Sequence, residues 1–170
     1  MKQIKAKTLT QISLCVAILA ITSQISFYIG AVPITLQVMF VSLAGYLLGA
    51  KKGGVCVVIY ILLGLAGAPV FSGLMGGAYV LLGYTGGFIF GFLPFCVLCG
   101  LGKKAKDSII LGIIGLLICH LTGVIQYMHL SGVSLWQSML VSSLPFLAKD
   151  TVLVILSYFL SKTVKSKILI

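Results

Sequence analysis

Apolar runs of bilayer-crossing length follow one another along almost the whole chain, interrupted only by lysine clusters and by turns carrying glycine and proline. Crossing a hydrocarbon core as a helix takes about 20 largely apolar residues. Backbone N–H and C=O groups find no water there, so a spanning segment must be a helix or part of a closed barrel. A barrel would need strands of alternating polarity. The runs here are continuous, which leaves helices. Charge points the same way. The 170 residues are 60% hydrophobic and only 8% charged, against roughly 25% charged in a soluble domain. So little charge cannot coat a globule in water. The expected fold class is therefore an all-α membrane protein, a single transmembrane domain over residues 1–170 with no soluble domain attached.

The runs place six transmembrane helices at roughly 9–29, 33–50, 54–71, 79–101, 108–130 and 140–161. The net charge of +10 comes from twelve Lys, two Asp and no Arg. In a water-soluble chain that balance would suggest nucleic acid. Here the lysines sit at span ends, where they read as topology signals and contacts with anionic lipid headgroups, and no nucleic-acid partner is implied. All lysines but Lys149 fall in four clusters: Lys2, Lys5 and Lys7; Lys51 and Lys52; Lys103, Lys104 and Lys106; Lys162, Lys165 and Lys167. Along an alternating six-span path the four clusters share one side. The excess of lysine makes that side cytoplasmic, with both termini on it, in a bacterial plasma membrane. A cleaved leader over Lys2 to Gly30 fits poorly, because its apolar stretch is long and five more spans follow.

Local signals refine this path. Pro33 is expected to open the second span, where a missing N–H costs little, and Gly64, Gly67 and Pro69 to close the third. The segment Phe71–Tyr84 carries Gly73, Gly76, Gly77 and Gly83. It is expected to be an irregular outer loop that walls or covers a pocket, because irregular backbone at membrane depth must be buried or line a cavity. Gly87 with Gly91, and Ser13 with Ala17, are small residues one turn apart and suit close helix contact. No internal repeat supports an inverted-repeat transporter core. The five cysteines, Cys15, Cys56, Cys96, Cys99 and Cys119, all lie in apolar segments and read as small packing residues, with no disulfide implied.

Two carboxylates carry most of the chemical information. Asp107 belongs to a lysine-rich loop and is expected to cap the fifth helix beside Ser108. Asp150 lies inside the sixth span next to Lys149. An ionisable group within a membrane helix is costly and defaults to a functional reading. Counted from residue 140, Asp150 falls roughly 15 Å along the helix. Neighbouring helix residues point about 100° apart, so Lys149 and Asp150 are not expected to pair, and each should have its own partner. Other polar groups fall at similar depth: Thr35, Gln37, Tyr79, Tyr84, Thr85 and Gln126, with Phe71 and the tyrosines as walls. Together they suggest an apolar cavity with a few convergent polar groups, the common form of a small-molecule site. Cys96 and Cys99 have redox spacing but no base or second pair nearby. His120 and His129 do not make a metal site, and no cofactor is implied. The chain lacks G-x-x-x-x-G-K-[ST], so energy coupling through a P-loop would have to come from another subunit.

A set of motifs then stands out. It comprises Val32-Pro33-Ile34-Thr35-Leu36-Gln37, Leu47-Leu48-Gly49 through Tyr60, and Gly64-x-x-Gly67-x-Pro69-Val70-Phe71. Gly76-Gly77 follows, with Gly83-Tyr84-Thr85-Gly86-Gly87-Phe88, Gly91-Phe92 and Pro145-Phe146-x-x-x-Asp150. As a set, over about residues 10–160, this resembles the BioY family, the biotin-specific substrate-binding (S) components of energy-coupling factor (ECF) transporters. The resemblance implies a six-helix S component that captures biotin from outside without catalysis of its own. It implies a membrane coupling (T) subunit and two cytoplasmic ATPase subunits as partners. It places Ser13 and Ala17 against the coupling subunit, the glycine-rich outer loop over the ligand, and Asp150 on the ureido ring. Two positions depart from the family pattern. Tyr84 stands where Gly-Pro-Thr-Gly-Gly is usual, and Leu153 stands where a lysine three residues after the Asp tends to meet the biotin carboxylate. Lys149 is the remaining cation for that role.

The departures keep a biotin relative or another heterocyclic acid, such as lipoate, as the alternative ligand. A membrane thiol oxidoreductase using Cys96 and Cys99 is a reading of a different class. A ligand-free scaffold or pore is a third, which needs neither Asp150 nor the glycine-rich loop.

Overall fold

The computed structural model describes residues 6–29 and 32–168; Lys2 and Lys5, and residues 30 and 31, lie outside them. The chain runs through helix α1 (Ala6–Gln24), strands β1 (Ser26–Ile29) and β2 (Val32–Thr35), and helix α2 (Gln37–Leu65). It continues through α3 (Ala78–Leu81), α4 (Gly86–Cys99), α5 (Ala105–Ser131), α6 (Leu135–Ser142) and α7 (Leu144–Ile168). Four helices, taken end to end, are long and apolar enough to cross a membrane: α1, α2, α5 and α7; α4 is a shorter apolar helix.

Gly49 divides α2. Its φ of 78° and ψ of 169° lie in a region that L side chains avoid and glycine enters freely. The chain reverses there. Gln37 reaches Tyr60 with its side-chain amide, and a Cβ at Gly53 would fall 3.1 Å from the Cα of Gly45. The arms 37–48 and 50–65 thus lie side by side as a helical hairpin. Sequence reading expects a connection over 51–53. A single glycine replaces it, so Lys51 and Lys52 already belong to the second arm.

The hairpin of strands is a second difference. Sequence reading carries the first span to residue 29 and opens the next at Pro33. Instead α1 stops at Gln24, and Pro33 pairs with Tyr28 across an antiparallel two-stranded ribbon. Ser26–Ile29 and Val32–Thr35 are rich in aromatic and β-branched residues, which favour extended backbone. The sixth span also divides. Ser134 and Gln137 form a reciprocal capping box that starts α6. Ser143, at φ −131° and ψ −60°, interrupts the helix before α7 begins. Pro145 then sits in the first turn of α7, where its missing N–H is harmless. Asp107 is a further correction. The α5 N-cap is Lys104 with no side-chain cap bond, and Asp107 lies within the first turn, where it only complements the helix dipole.

The core lies where α4 meets α5 and the α2 hairpin. Gly87 and Gly91 let α4 approach α5 closely: a Cβ at Gly87 would meet Gly123 Cα at 2.9 Å, and one at Gly91 would meet Cys119 Cα at 2.7 Å. Tyr60, Phe95, Leu116, Val41, Val57 and Val154 are fully buried around this seam. Tyr46 donates to Ser108 O and packs edge-on against Tyr158, which fixes one end of the bundle. Lys51, Lys52, Lys103, Lys104, Lys106 and Lys162 all lie within a few residues of that end.

Candidate functional site

At the opposite end, α1 fastens an irregular segment, residues 66–77, across the top of the bundle. Ser23 Oγ donates to Val70 O at 2.6 Å. Gln24 Nε2 donates to Phe71 O at 3.0 Å, and its Oε1 accepts from Leu74 N at 2.8 Å. Within the segment Phe71 N bonds Met75 O, and Gly77 N returns to Gly64 O. Leu74 takes a left-handed φ of 58°, which costs a side-chain-bearing residue about 1–2 kcal/mol. The Gln24 side chain holds it there. Phe71 is buried at 2% exposure and meets Tyr60 edge to face, with ring centroids 5.5 Å apart. Gly64 leaves room for the Phe71 ring, since any Cβ there would overlap it.

Beneath this strap lies a cavity of about 270 Å³, lined from β2, α2, the strap, α3, the 82–85 turn, α4, α5 and the α6–α7 junction. Its walls are chiefly apolar and aromatic: Val38, Tyr60, Phe71, Phe88, Phe92 and Phe146 among others. Of the residues singled out from sequence, Thr35, Gln37, Phe71, Tyr79, Tyr84, Thr85, Lys149 and Asp150 all line it. Gln126 does not. It stands behind the wall, donating to Leu81 O at 2.8 Å and Gly83 O at 2.6 Å, and so shapes the 82–85 turn rather than the cavity surface. Tyr84 stacks at a tilt on Tyr127, with centroids 5.3 Å apart.

The polar floor of the cavity differs from expectation. Lys149 and Asp150 do pair: Nζ lies 2.6 Å from Oδ1, and Nζ also donates to Thr35 O at 3.0 Å. The 100° offset is overcome because the flexible lysine stem bends back toward β2. Asp150 is the seventh residue of α7, roughly 9 Å along it at about 1.5 Å per residue. That is less than a count from residue 140 gives, because Ser143 interrupts the helix. The carboxylate is buried, while the Lys149 side chain is 34% exposed. Oδ1 is fully buried, and apart from this ammonium it has no hydrogen-bond partner among the described residues. Its neighbour Oδ2 lies 3.4 Å from His120 Nε2, and His120 Nδ1 meets Ser143 Oγ at 2.9 Å. Sequence reading weighs His120 only as a metal ligand and passes over it. The available signal was the one used for Asp150, an ionisable side chain in the middle of an apolar helix.

Gln37 is also committed. Its amide donates to Tyr60 OH, which donates to Val70 O at 2.9 Å. This relay ties the cavity wall to the strap and, through Val70, to Ser23. Ser13 and Ala17 lie elsewhere, together on the exposed face of α1. Cys96 and Cys99 are buried where α4 packs on the α2 hairpin, and neither lines the cavity. His129 is exposed in the last turn of α5. The half-buried Leu153 does not line the cavity either.

Comparison with known proteins gives a consistent picture. The family model for the BioY family matches residues 1–169. A probable biotin transporter BioY of Pyrococcus horikoshii is 40% identical over 148 residues, covering 87% of this chain and 90% of that protein. The biotin transporter BioY of Thermotoga maritima is 44% identical over 112 residues, covering 64% and 66% of the two chains. Among solved structures, the S-component for biotin from an ECF-type ABC transporter superposes with a TM-score of 0.88 at 30% identity, over 96% of this chain and 93% of that one.

Proposed function

The chain belongs to the BioY family, and from that premise we propose that it is the substrate-capturing membrane subunit of an ECF-type biotin transporter. The observation that carries this reading is the cavity floor: a buried Asp150, ion-paired to Lys149, at the base of an apolar chamber of about 270 Å³. An apolar cavity with a few placed polar groups suits a small heterocyclic acid. Biotin offers ring N–H donors for Asp150 and, at the far end of its side chain, a carboxylate for a cation. Lys149 is the cation that lines the cavity among the described residues, and it reaches that carboxylate by leaving its 2.6 Å contact with Asp150. Thr35, Tyr79, Tyr84, Thr85 and Phe71 complete the walls, Gln37 and Gln126 brace them, and the 66–77 strap closes over the ligand.

In this reading the chain crosses the plasma membrane six times, by α1, the two arms of α2, α4, α5 and α7 with their flanking turns. The lysine-rich end is cytoplasmic, with both termini, and the cavity faces outward. Ser13 and Ala17 present a small-residue face for a coupling (T) subunit, and two ATPase subunits supply the energy. The protein has no catalytic step of its own. The burial of Cys96 and Cys99 away from the cavity gives the thiol-oxidoreductase reading nothing to act with. A biotin relative or lipoate is the second ligand reading, favoured by Tyr84 and by the absence of a cation at Leu153.

The test is calorimetric titration of the purified protein with biotin, desthiobiotin and lipoate, for wild type and Asp150→Ala. Tight biotin binding that is lost in a folded Asp150→Ala protein is the expected result. Wild-type protein that ignores biotin, or Asp150→Ala with unchanged affinity, would overturn the assignment.

A further inference from the structure

We propose that His120 is a positioning residue that sets the specificity of this site, by holding one oxygen of Asp150 so that the other is presented to a ligand N–H. The inference rests on biotin, with its cyclic urea, being the ligand. Its observations are geometric. His120 and Asp150 both line the cavity and are buried, at 5% and 4% exposure. The imidazole lies between Ser143 and the carboxylate, Nδ1 to Ser143 Oγ at 2.9 Å and Nε2 to Asp150 Oδ2 at 3.4 Å. Phe88 stands edge-on to the ring with centroids 5.8 Å apart, which limits its tilt.

A neutral imidazole has one donor and one acceptor nitrogen, and the partner of one fixes the role of the other. Ser143 can donate its hydroxyl proton to Nδ1. Nε2 then carries the hydrogen and aims it at Oδ2. The ionised carboxylate has acceptor capacity on both oxygens. His120 Nε2 faces Oδ2 at 3.4 Å, and Oδ1 is buried beneath the Lys149 ammonium, 2.6 Å away. As the ligand enters, Lys149 moves off Oδ1 toward the ligand carboxylate and uncovers that oxygen for the ring N–H. A cyclic urea has diverging N–H groups, so one of them meets one carboxylate oxygen. Oδ1 is the oxygen placed to receive it. The device therefore selects ligands that bring a donor to this point. Ligands with only acceptors there would leave a buried carboxylate oxygen unpaired, which is the strong form of discrimination.

Four variants separate this role from simple packing: His120→Leu, His120→Gln, His120→Asn and Ser143→Ala. The amide nitrogen of Gln occupies the place of Nε2, whereas that of Asn occupies the place of Nδ1. Affinity for biotin, and for a biotin methylated on the ureido nitrogens, is measured by titration after thermal unfolding without ligand has shown each variant to be folded. The expected result is a roughly ten- to hundredfold loss for His120→Leu and His120→Asn, the range for losing a hydrogen bond to a charged group. His120→Gln should recover most of the affinity, and Ser143→Ala should fall between. The defect of His120→Leu should shrink severalfold for the N-methylated ligand. Should Asn rescue as well as Gln, or should all four variants bind like wild type, the inference fails while the proposed function stands. Wild-type protein that does not bind biotin overturns the proposed function and this inference together.

Discussion

Gln24 is the side chain on which the strap most depends, and its replacement gives the sharpest test of how the cavity closes. In Gln24→Leu the size is kept while three bonds to the strap are lost, Nε2 to Phe71 O at 3.0 Å and to Pro69 O at 3.4 Å, and Leu74 N to Oε1 at 2.8 Å. A neutral hydrogen bond contributes about 1 kcal/mol net. The bonds to Leu74 and Pro69 are exposed, so water recovers part of them, and the sum comes to about 1–2 kcal/mol. The left-handed Leu74, at φ 58°, then relaxes more readily, since of its restraints only the turn closed by Phe71 N and Met75 O remains. At about 1.4 kcal/mol per factor of ten, the open state should gain roughly 5- to 30-fold in population. The assay is the dissociation rate of biotin from protein in nanodiscs, with hydrogen exchange at the amides of Phe71 and Leu74 measured in parallel. Faster release by that factor, with faster exchange at both amides, is the expected result. Release and exchange within twofold of wild type would refute the claim that Gln24 holds the strap closed.

Three further outcomes follow from the same geometry. Lys149→Met should weaken biotin by roughly ten- to hundredfold and a biotinyl amide by less than threefold; equal losses for acid and amide would remove Lys149 from carboxylate recognition. Ser13→Trp or Ala17→Trp, both on the exposed face of α1, should leave biotin affinity intact but abolish co-purification with a coupling subunit, and normal assembly would argue for another docking face. Gly45→Ala should lower the thermal midpoint, because the new Cβ would sit 2.8 Å from Cys99 Cβ and overpacking of this kind costs about 1–3 kcal/mol; an unchanged midpoint would mean that the α2 and α4 backbones separate easily.

The sequence makes the helical membrane class legible through charge scarcity, and it makes the cavity legible because ionisable and polar groups are so rare in these runs that each one is conspicuous. What it conceals is where helices stop. Hydropathy does not register that Ser26–Ile29 and Val32–Thr35 leave the helix for a ribbon, since their side chains are as apolar as those of a span. Nor does it register the reversal at Gly49, where one residue does the work of a loop. Helical spacing misjudged Lys149 and Asp150 because a four-carbon stem can bend round an angle that rigid side chains cannot. His120 was passed over for a different reason. Its meaning depends on Ser143 and Asp150, partners 23 and 30 positions away, which only the α6–α7 junction brings alongside it.

The fastening of the strap to Ser23 and Gln24 has a consequence for assembly. These two residues belong to the same helix whose middle presents Ser13 and Ala17, so one rigid rod touches both the cover of the cavity and the face proposed for the coupling subunit. Any displacement of that rod by a partner must pull on Val70 and Phe71. Thermodynamic reciprocity then applies: if docking on α1 loosens the cavity cover and lowers biotin affinity by some factor, bound biotin must weaken docking by the same factor. The loaded subunit would then be the poorer partner at equilibrium, and ATP hydrolysis elsewhere in the assembly would be needed to drive the loaded complex forward.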